Sequence, residues 1–403
     1  MSTLRLSTAG ESHGPAEICL LEGVPAGLAL TTTDVDLDLS RRQQGYGRGG
    51  RMVIESDRCR FLAGVRLGRT LGTPICIVVE NRDHESWKAA MSPDPPADAT
   101  DGHRARVTVP RPGHADLSGL AKYGLVDIRD VLERASARET VARVAGGAVC
   151  KRLLTELGVT VRGRVVSIGV AAVEGGADFA DWRRIDWEAV EASPVGCDDP
   201  EVGAAMCEEI DRAREAGESL GGVFEIWCWG LCPGLGGYAS LRDRLDGRLM
   251  AAMGSIPAIK GVEIGRGFAN ARLVGSQVHD PITLAGEGSN SWVTRETNHA
   301  AGIEGGMTTG MPVVIRAAMK PIPTLTTPLP SVDVSTREVT AAHVERSDIT
   351  AVPAARVVGE AMAAVTLAEA YLEKFGGDSL SQLQDSLRAY ERSLQERGLW
   401  RRS

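Results

Sequence analysis

Residues 137–157 carry the strongest helical pattern of the chain and read ARETVARVAGGAVCKRLLTEL. Apolar side chains recur at 141, 144, 145, 148, 149 and 153, which is the spacing of one buried helix face. Ser136 and Glu139 stand three residues apart at its start, which predicts a capping box, and Gly158 is suited to end the helix. We therefore expect a long helix here.

Shorter patterns on both sides of this helix predict a mixed α and β protein. Strands are expected near residues 3–7 and 16–22, within 60–82, and at 159–174, 223–231, 260–264 and 313–319. Further helices are expected at 32–44, 200–217, 243–253, 353–375 and 380–397, and polar loops at 84–110 and 275–312. No linker or short internal repeat divides the chain.

The glycine-rich stretch Gly45–Gly50 matches the letters of a dinucleotide fingerprint but lacks its context. A predicted helix precedes it and a strand-like segment, residues 52–55, follows it, whereas the fingerprint needs a strand before and a helix after. No lysine follows a glycine anywhere in the chain, so a Walker-type phosphate loop is also excluded.

Composition narrows the class of protein further. The chain has 403 residues, 43% of them hydrophobic, and a net charge of −8, which argues against a general nucleic-acid or membrane-surface binder. No apolar run approaches 18 residues, and the first residues lack a signal-peptide pattern. The eight cysteines form no CxxC pair and no metal-ligand spacing occurs, so we expect a cytoplasmic protein without a metal site.

Two features nevertheless indicate a site for an anionic ligand. Arg41, Arg42, Arg48 and Arg51 crowd together, and guanidinium groups bind carboxylates and phosphates in bidentate fashion; the alternative is a solvated, charged helix end. Histidines 13 and 114 lie in glycine-flanked loops and suit the transfer of two protons near neutral pH, although each could be an ordinary loop residue. Histidines 84, 103, 279, 299 and 343 are expected to be surface or loop residues.

Eight short motifs, taken in order, resemble the chorismate synthase family. They are GESHG at 10–14, RR at 41–42 with GYGRG at 45–49, RPGHAD at 111–116, RASARET at 134–140, KGVEIG at 260–265, GGMT at 305–308, KPIPT at 320–324, and RSD at 346–348 before AVPAA at 351–355.

The resemblance implies both a reaction and a fold. The family converts 5-enolpyruvylshikimate 3-phosphate to chorismate by 1,4-elimination of phosphate with loss of a ring C6 proton, and it needs reduced FMN although nothing is oxidised overall. The chain would thus be a carbon–oxygen lyase. Its fold would be an α/β (α+β) sandwich with helices between antiparallel sheets, assembled as a homotetramer. Residues 1–380 would form one catalytic domain, and residues 381–403 a charged helix and tail.

The resemblance also implies the roles of individual residues. His13, aided by Ser12, would protonate the leaving phosphate. His114 would protonate reduced flavin near N1/C2, and Asp348, beside the flavin N5, would help accept the C6 proton. The substrate carries two carboxylates and a phosphate, and these anions would be held by Arg42, Arg48, Arg51, Arg111 and Arg138.

Further matching positions are the family's FMN contacts. They are Arg134, Ala135, Ser136, Pro257, Ala258, Gly305, Lys320, Pro321, Ile322, Pro323, Thr324 and Arg346. Ser136 has two compatible interpretations, because a helix N-terminus that needs a cap is also an anion site.

Other functions are open at this stage. A catalytically silent paralogue that binds flavin or phosphate would be free to lose His13, His114 or Asp348, and all three are present. A stand-alone NADPH:flavin reductase would need a nicotinamide fingerprint, which is missing. An external flavin reductase is therefore the expected source of reduced FMN, with self-reduction by NADPH as the alternative. Residues 298–302 and 349–350 depart from the family pattern, which puts in doubt how flexible the loop before Gly305 is.

Overall fold

The computed structural model describes residues 4–48, 57–94, 106–173, 179–344 and 348–402. In these ranges the helices are α1 (Thr32–Gln43), α2 (Asp116–Tyr123), α3 (Arg129–Ala135), α4 (Thr140–Glu156), α5 (Trp187–Ala192), α6 (Pro200–Glu215), α7 (Leu245–Gly254), α8 (Gly275–Val278), α9 (Val352–Phe375) and α10 (Leu380–Glu396). The strands are β1 (Arg5–Ala9), β2 (Ala16–Glu22), β3 (Cys59–Ala63), β4 (Val65–Arg66), β5 (Arg69–Thr70), β6 (Ile75–Glu80), β7 (Thr160–Ile168), β8 (Ala171–Ala172), β9 (Gly222–Trp229), β10 (Ile259–Ile264), β11 (Ile282–Ala285), β12 (Trp292–Arg295), β13 (Ile303–Glu304), β14 (Met307–Thr308), β15 (Val313–Met319), β16 (Pro330–Val332) and β17 (Val339–Ala341).

Two antiparallel sheets enclose a pair of long helices. The first sheet has the strand order β1-β2-β6-β3 and the second the order β10-β15-β9-β7-β8. Helix α4 packs against β2 and β6, helix α9 packs against β7 and β9, and the two helices pack against each other. The expected α/β arrangement with helices between antiparallel sheets is therefore confirmed.

Two adjacent glycines let α4 fit between its neighbours. A Cβ atom at Gly146 would lie 2.5 Å from Leu6 Cδ1 and 2.9 Å from Cys19 Sγ of the first sheet. A Cβ atom at Gly147 would lie 2.2 Å from the Ala361 Cβ of α9. Any side chain at either position would force the layers apart, so both glycines are needed for close packing despite their cost in helix propensity.

The start of the central helix differs from the prediction. Residues Ala137–Glu139 form a 3-10 turn, and Ser136 Oγ accepts a hydrogen bond from Arg138 N at 3.2 Å. The Glu139 carboxylate pairs forward with Arg143 Nε at 2.8 Å, the i,i+4 partner on the helix surface. The serine cap is therefore present, but the glutamate half of the predicted capping box is wrong.

The two long polar loops are also more structured than predicted. A 3-10 helix, Arg82–Ser86, lies at the start of the first. The second contains α8 and two short hairpins, β11–β12 and β13–β14. Strands of two to four residues are too short to show a clear alternation, which explains the error. The predicted strand at 52–55 lies outside the described residues.

A buried ion cluster fixes α1 against the core. Glu360 of α9 is fully buried and accepts hydrogen bonds from Arg41 Nη1 at 2.6 Å and Lys151 Nζ at 2.7 Å. Burial opposes ionisation of this carboxyl, but Arg41 and Lys151 hold its pKa well below the usual range. Arg41 is thus an internal ion-pair residue, and it places its neighbour Arg42 beside the start of α4.

Candidate active site

The loop at residues 10–14, which carries Ser12 and His13, is held from two sides. Asn81 Nδ2, just after β6, donates to the carbonyl oxygens of Ser12 and Gly14, each at 2.9 Å. Ser12 N donates to the Glu133 carbonyl of α3 at 2.9 Å. Ser12 and His13 are both buried. The loop therefore has a fixed place between the first sheet and α3.

The His13 ring is held by a carboxylate and an indole. Glu133 Oε1 and Oε2 each lie 2.9 Å from His13 Nδ1, and Oε2 also accepts the His13 backbone N–H at 2.9 Å. Trp87 stacks on the imidazole with ring centroids 3.7 Å apart. Burial would raise the pKa of Glu133, but the hydrogen bonds from His13 and the nearby Arg129 hold it below its ordinary value. Glu133 thus contacts both the ring and the backbone of His13 and fixes the position of the imidazole.

His84 is also part of this arrangement. It was expected to be a surface or loop histidine, but it lies half-buried in the 3-10 helix Arg82–Ser86. Its Nδ1 donates to the His13 carbonyl at 2.9 Å. His84 therefore positions the loop. A single histidine outside the matching motifs gave no sign of this contact.

The second histidine loop is a hydrogen-bonded cluster of its own. His114 Nδ1 lies 2.5 Å from Asp116 Oδ1, and Arg111 Nε donates to Asp116 Oδ2 at 2.9 Å. Arg111 Nη1 reaches Thr324 Oγ1 at 3.4 Å. Burial would raise the pKa of Asp116, but His114 and Arg111 hold it well below its usual range. The guanidinium of Arg111, predicted to bind substrate, is thus directed at Asp116 and Thr324.

Two predicted substrate arginines share one buried carboxylate. Arg138 Nη1 donates to Asp57 Oδ1 at 2.8 Å, and Arg42 Nη1 lies 3.5 Å from Asp57 Oδ2. Arg42 also donates to Thr140 Oγ1 at 3.0 Å. Burial lowers the pKa of Arg42 to about 10. The nearby cations Arg48 and Arg138 lower this pKa further, whereas the Asp57 carboxylate raises it. Arg42 is still a cation at neutral pH, so the cluster has a concentrated positive charge.

Arg48 and Asp348 form an ion pair at 2.9 Å between Nη1 and Oδ2. Both side chains are only partly exposed. The structure therefore brings a predicted substrate arginine and the predicted proton acceptor into direct contact, although 300 residues separate them in sequence.

Arg134 is more accessible than the arginines around Asp57. Its side chain is 42% exposed, and its guanidinium donates to Thr8 O at 3.0 Å and to Gly10 O at 3.2 Å. Ala135 ends α3, and Ser136 caps the 3-10 turn that leads into α4. The predicted flavin segment therefore joins the His13 loop to the Arg138 cluster.

A carboxylate that sequence reasoning missed lies behind this segment. Glu17 of β2 is 1% exposed, and neither carboxylate oxygen has a hydrogen-bond partner among the described residues. Arg134 Nη1 is 3.8 Å away. A Cβ atom at Gly10 would lie 2.6 Å from Glu17 Oε2. Desolvation raises the pKa of Glu17 to about 7, although Arg138 and Arg134 act in the opposite direction.

The remaining predicted cofactor positions lie in two facing segments. Pro257 and Ala258 form the turn between α7 and β10, and Ala258 O accepts a hydrogen bond from Lys320 N at 3.0 Å. Lys320 Nζ donates to Gly113 O at 2.5 Å, which links this region to the His114 loop. Burial and the nearby Lys260 lower the pKa of Lys320. Two neighbouring lysines suit an anionic ligand.

Backbone contacts connect these groups into one region. Ile349 N donates to Gly47 O, next to Arg48, and Leu220 N donates to Ile349 O, both at 2.8 Å. Ser219 Oγ in turn donates to Ile322 O at 2.6 Å, within the segment Pro321–Pro323 that precedes Thr324. Gly305 lies in the turn between β13 and β14, which packs against α7. Arg51 and Arg346 lie outside the described residues.

The departure at 298–302 forms a well-anchored turn. Asn298 Nδ2 donates to Phe179 O at 2.7 Å and to Pro312 O at 2.8 Å, and its Oδ1 accepts from Gly302 N at 2.7 Å. The Asp280 carboxylate accepts hydrogen bonds from the backbone N–H groups of His299 and Ala300, at 2.6 and 2.9 Å. These bonds hold the segment in place before β13.

Neither a metal-ligand cluster nor a membrane-spanning helix occurs in the described ranges. No group of three or more His, Cys, Asp or Glu side chains there could hold a metal ion. None of the helices in those ranges is both long enough and apolar enough to cross a membrane.

Comparison with known proteins gives consistent results. A family model described as chorismate synthase matches residues 4–372. The chain is 56% identical to a chorismate synthase of Desulforudis audaxviator over 387 residues, 96% of this chain and 97% of the relative. It is 54% identical to one of Rubrobacter xylanophilus over 388 residues, 96% of each chain. A crystal structure of chorismate synthase superposes with a TM-score of 0.78 at 41% identity, covering 98% of each chain. The chain therefore belongs to the chorismate synthase family of carbon–oxygen lyases.

Proposed function

We propose that this chain eliminates phosphate from 5-enolpyruvylshikimate 3-phosphate to form chorismate, with a requirement for reduced FMN and no net redox change. One observation carries the proposal. Two histidines on separate, fixed loops each have Nδ1 held by a buried carboxylate, Glu133 for His13 and Asp116 for His114. Such pairs are suited to proton transfer, because the carboxylate orients the ring and stabilises its cation.

The proposed roles follow from the neighbours of each histidine. His13, with Ser12 beside it, protonates the departing phosphate and so avoids release of a more highly charged leaving group. His114, linked through Gly113 to Lys320, maintains the protonation of the bound flavin ring. Asp348, beside the flavin N5, helps accept the C6 proton. It can act as a base once Arg48, its ion-pair partner at 2.9 Å, turns to a substrate carboxylate.

Substrate binding is proposed for Arg42, Arg48, Arg51, Arg111 and Arg138. The cluster around Asp57 contains two cations for one carboxylate, so it keeps net positive charge for the substrate anions. Arg111 contributes chiefly by holding Asp116, and thereby His114, in place.

The described residues also fit the proposed cofactor. Arg134 is partly exposed beside Ser136, and Lys320 lies near Lys260, so cations are available for the phosphate of FMN. Reduced FMN, when bound, supplies the electron-rich ring that makes the C–O bond cleavage possible. The proposed contacts are Arg134, Ala135, Ser136, Pro257, Ala258, Gly305, Lys320, Pro321, Ile322, Pro323, Thr324 and Arg346.

We also infer a cytoplasmic protein and, from the resemblance to the family, a homotetramer. Because the chain carries no nicotinamide fingerprint, we infer that it depends on an external flavin reductase. The reaction is tested in an anaerobic assay with photoreduced FMN and 5-enolpyruvylshikimate 3-phosphate, followed by the ultraviolet absorbance of chorismate. Product should form with reduced FMN. Turnover with oxidised FMN in air, without any reductant, would contradict the proposal. A parallel reaction with NADPH and oxidised FMN should stay inactive until a reductase is added.

A further inference from the structure

The contacts of His13 outside the motif that carries it determine how its imidazole is presented. Glu133 Oε1 and Oε2 both lie 2.9 Å from Nδ1, and the carboxyl is 3% exposed. Because an ionised carboxylate accepts hydrogen bonds but cannot donate them, Nδ1 must carry the proton that it shares with Glu133.

Glu133 itself is kept ionised by its surroundings. Arg129 Nη1, one helical turn earlier on α3, lies 3.3 Å from Oε1, and the backbone N–H of His13 donates to Oε2 at 2.9 Å. These contacts outweigh burial and lower the pKa of Glu133. Among the described residues, the charged and titratable groups that face His13 include Glu133 and Arg129 from α3. They also include His84 from the 3-10 helix, because the His84 Nδ1 contacts the His13 carbonyl.

The plane of the imidazole is fixed as well. Trp87 stacks on it with ring centroids 3.7 Å apart and an interplanar angle of 23°. The Arg129 guanidinium also lies 5.1 Å from the Trp87 ring, so the indole is itself held in place. The imidazole therefore has one orientation about its Cα–Cβ and Cβ–Cγ bonds.

We propose that Glu133 is a positioning residue that fixes His13 as the Nδ1–H tautomer and thereby commits every proton exchange with a ligand to Nε2. This proposal depends on the proposed function at one point only, namely that the group protonated by Nε2 is the leaving phosphate. It explains why a buried glutamate beside a histidine loop is ion-paired to Arg129 and directed at Nδ1 with both oxygens.

Glu133→Gln is a sharp test, because glutamine keeps the shape but changes the hydrogen bonding. The wild-type carboxylate accepts from two donors, the ring Nδ1–H and the backbone N–H of His13. An amide has one oxygen, so its NH₂ group must face one of these donors or a ring nitrogen that has lost its proton. The second arrangement favours the Nε2–H tautomer.

The tautomer can be read directly from two-bond ¹H–¹⁵N correlations of protein labelled with ¹⁵N-histidine, above the pH at which the ring becomes neutral. His13→Gln assigns the signal among the seven histidines. The wild type should show Nδ1–H. Glu133→Gln should shift His13 towards Nε2–H and lower kcat at least about ten-fold, with a smaller effect on KM.

Two variants serve as matched controls. Glu80→Gln removes an exposed carboxylate that pairs with Arg60 at 3.0 Å, away from both histidines, so it should leave both histidine signals unchanged. Asp116→Asn should alter the His114 signal and leave that of His13 in place, because its contacts lie in the other loop.

Three outcomes separate the possibilities. An Nε2–H tautomer of His13 in the wild type would overturn the proposal even if Glu133→Gln does not fold. An unchanged Nδ1–H tautomer in folded Glu133→Gln would overturn it as well. A changed tautomer with unchanged turnover would support Glu133 as the positioning residue, while it would contradict the role of His13 in the proposed function.

Discussion

Glu17 is a buried carboxyl group, and the structure predicts how its ionisation changes the stability of the protein with pH. The side chain is 1% exposed, and neither oxygen has a hydrogen-bond partner in the part of the chain that the structure describes. The charged groups that act on it there are Arg138, Arg134, Glu139 and Glu11. Desolvation dominates, so the pKa of Glu17 rises from 4.5 to about 7.

The raised pKa fixes how stability changes with pH. Since the folded protein holds this proton more tightly than the unfolded chain, the free energy of unfolding falls as pH rises from about 4.5 to about 7, and then levels off. The shift corresponds to a loss of about 3 kcal/mol between pH 4 and pH 8. Glu17→Gln cannot ionise. The free energy of unfolding of Glu17→Gln, relative to that of the wild type, should therefore rise by about 3 kcal/mol over the same interval. Burial of the amide adds a cost that does not change with pH.

The assay is urea unfolding of both proteins at several pH values and one protein concentration, because the midpoint of a self-associating protein depends on concentration. Glu80→Gln, an exposed carboxylate, is the control and should follow the wild type. The ¹³C carboxyl resonance of Glu17 should titrate near pH 7. If Glu17→Gln and the wild type lost stability in parallel between pH 5 and 8, the reasoning would be refuted.

Three further predictions concern the site. Arg48→Ala should weaken substrate binding roughly ten-fold to a hundred-fold, the value of a charge-assisted hydrogen bond; titration should show a much smaller effect on FMN, and equal weakening would count against the assignment. His13→Ala and His114→Ala should each lower turnover at least about ten-fold, and only His114→Ala should alter the pH-dependent absorbance of bound reduced FMN; the opposite pattern would exchange their roles. Asp57→Ala should destabilise the fold by about 3–5 kcal/mol, because two buried guanidiniums lose their carboxylate; an unchanged melting temperature would show that they find other partners.

The sequence predicts those parts of the fold whose patterns are long and regular. Strands β2 and β15 have the predicted bounds, and α9 begins within one residue of its prediction. Their alternating or helical spacing extends over seven residues or more, so one period dominates. The hairpins between residues 282 and 308 were missed, because their strands have only two to four residues.

Within the candidate site, the sequence predicts only those partners that lie close together along the chain. Asp116 lies two residues from His114, within the motif that drew attention to it. Glu133 lies 120 residues from His13, and Asp57 lies 81 residues from Arg138, so only the folded chain brings each pair together. The carboxylate on His114 belongs to the same motif, whereas the carboxylates on His13 and Arg138 come from distant parts of the chain and leave no local pattern.

The most direct test of the proposed reaction is its stoichiometry under anaerobic conditions with a catalytic amount of reduced FMN. Chorismate, released phosphate and flavin oxidation state are measured in the same reaction. We predict one phosphate for each chorismate, many turnovers per FMN, and a flavin that is still reduced at the end. Oxidation of one flavin for each chorismate formed would contradict an elimination without net redox change.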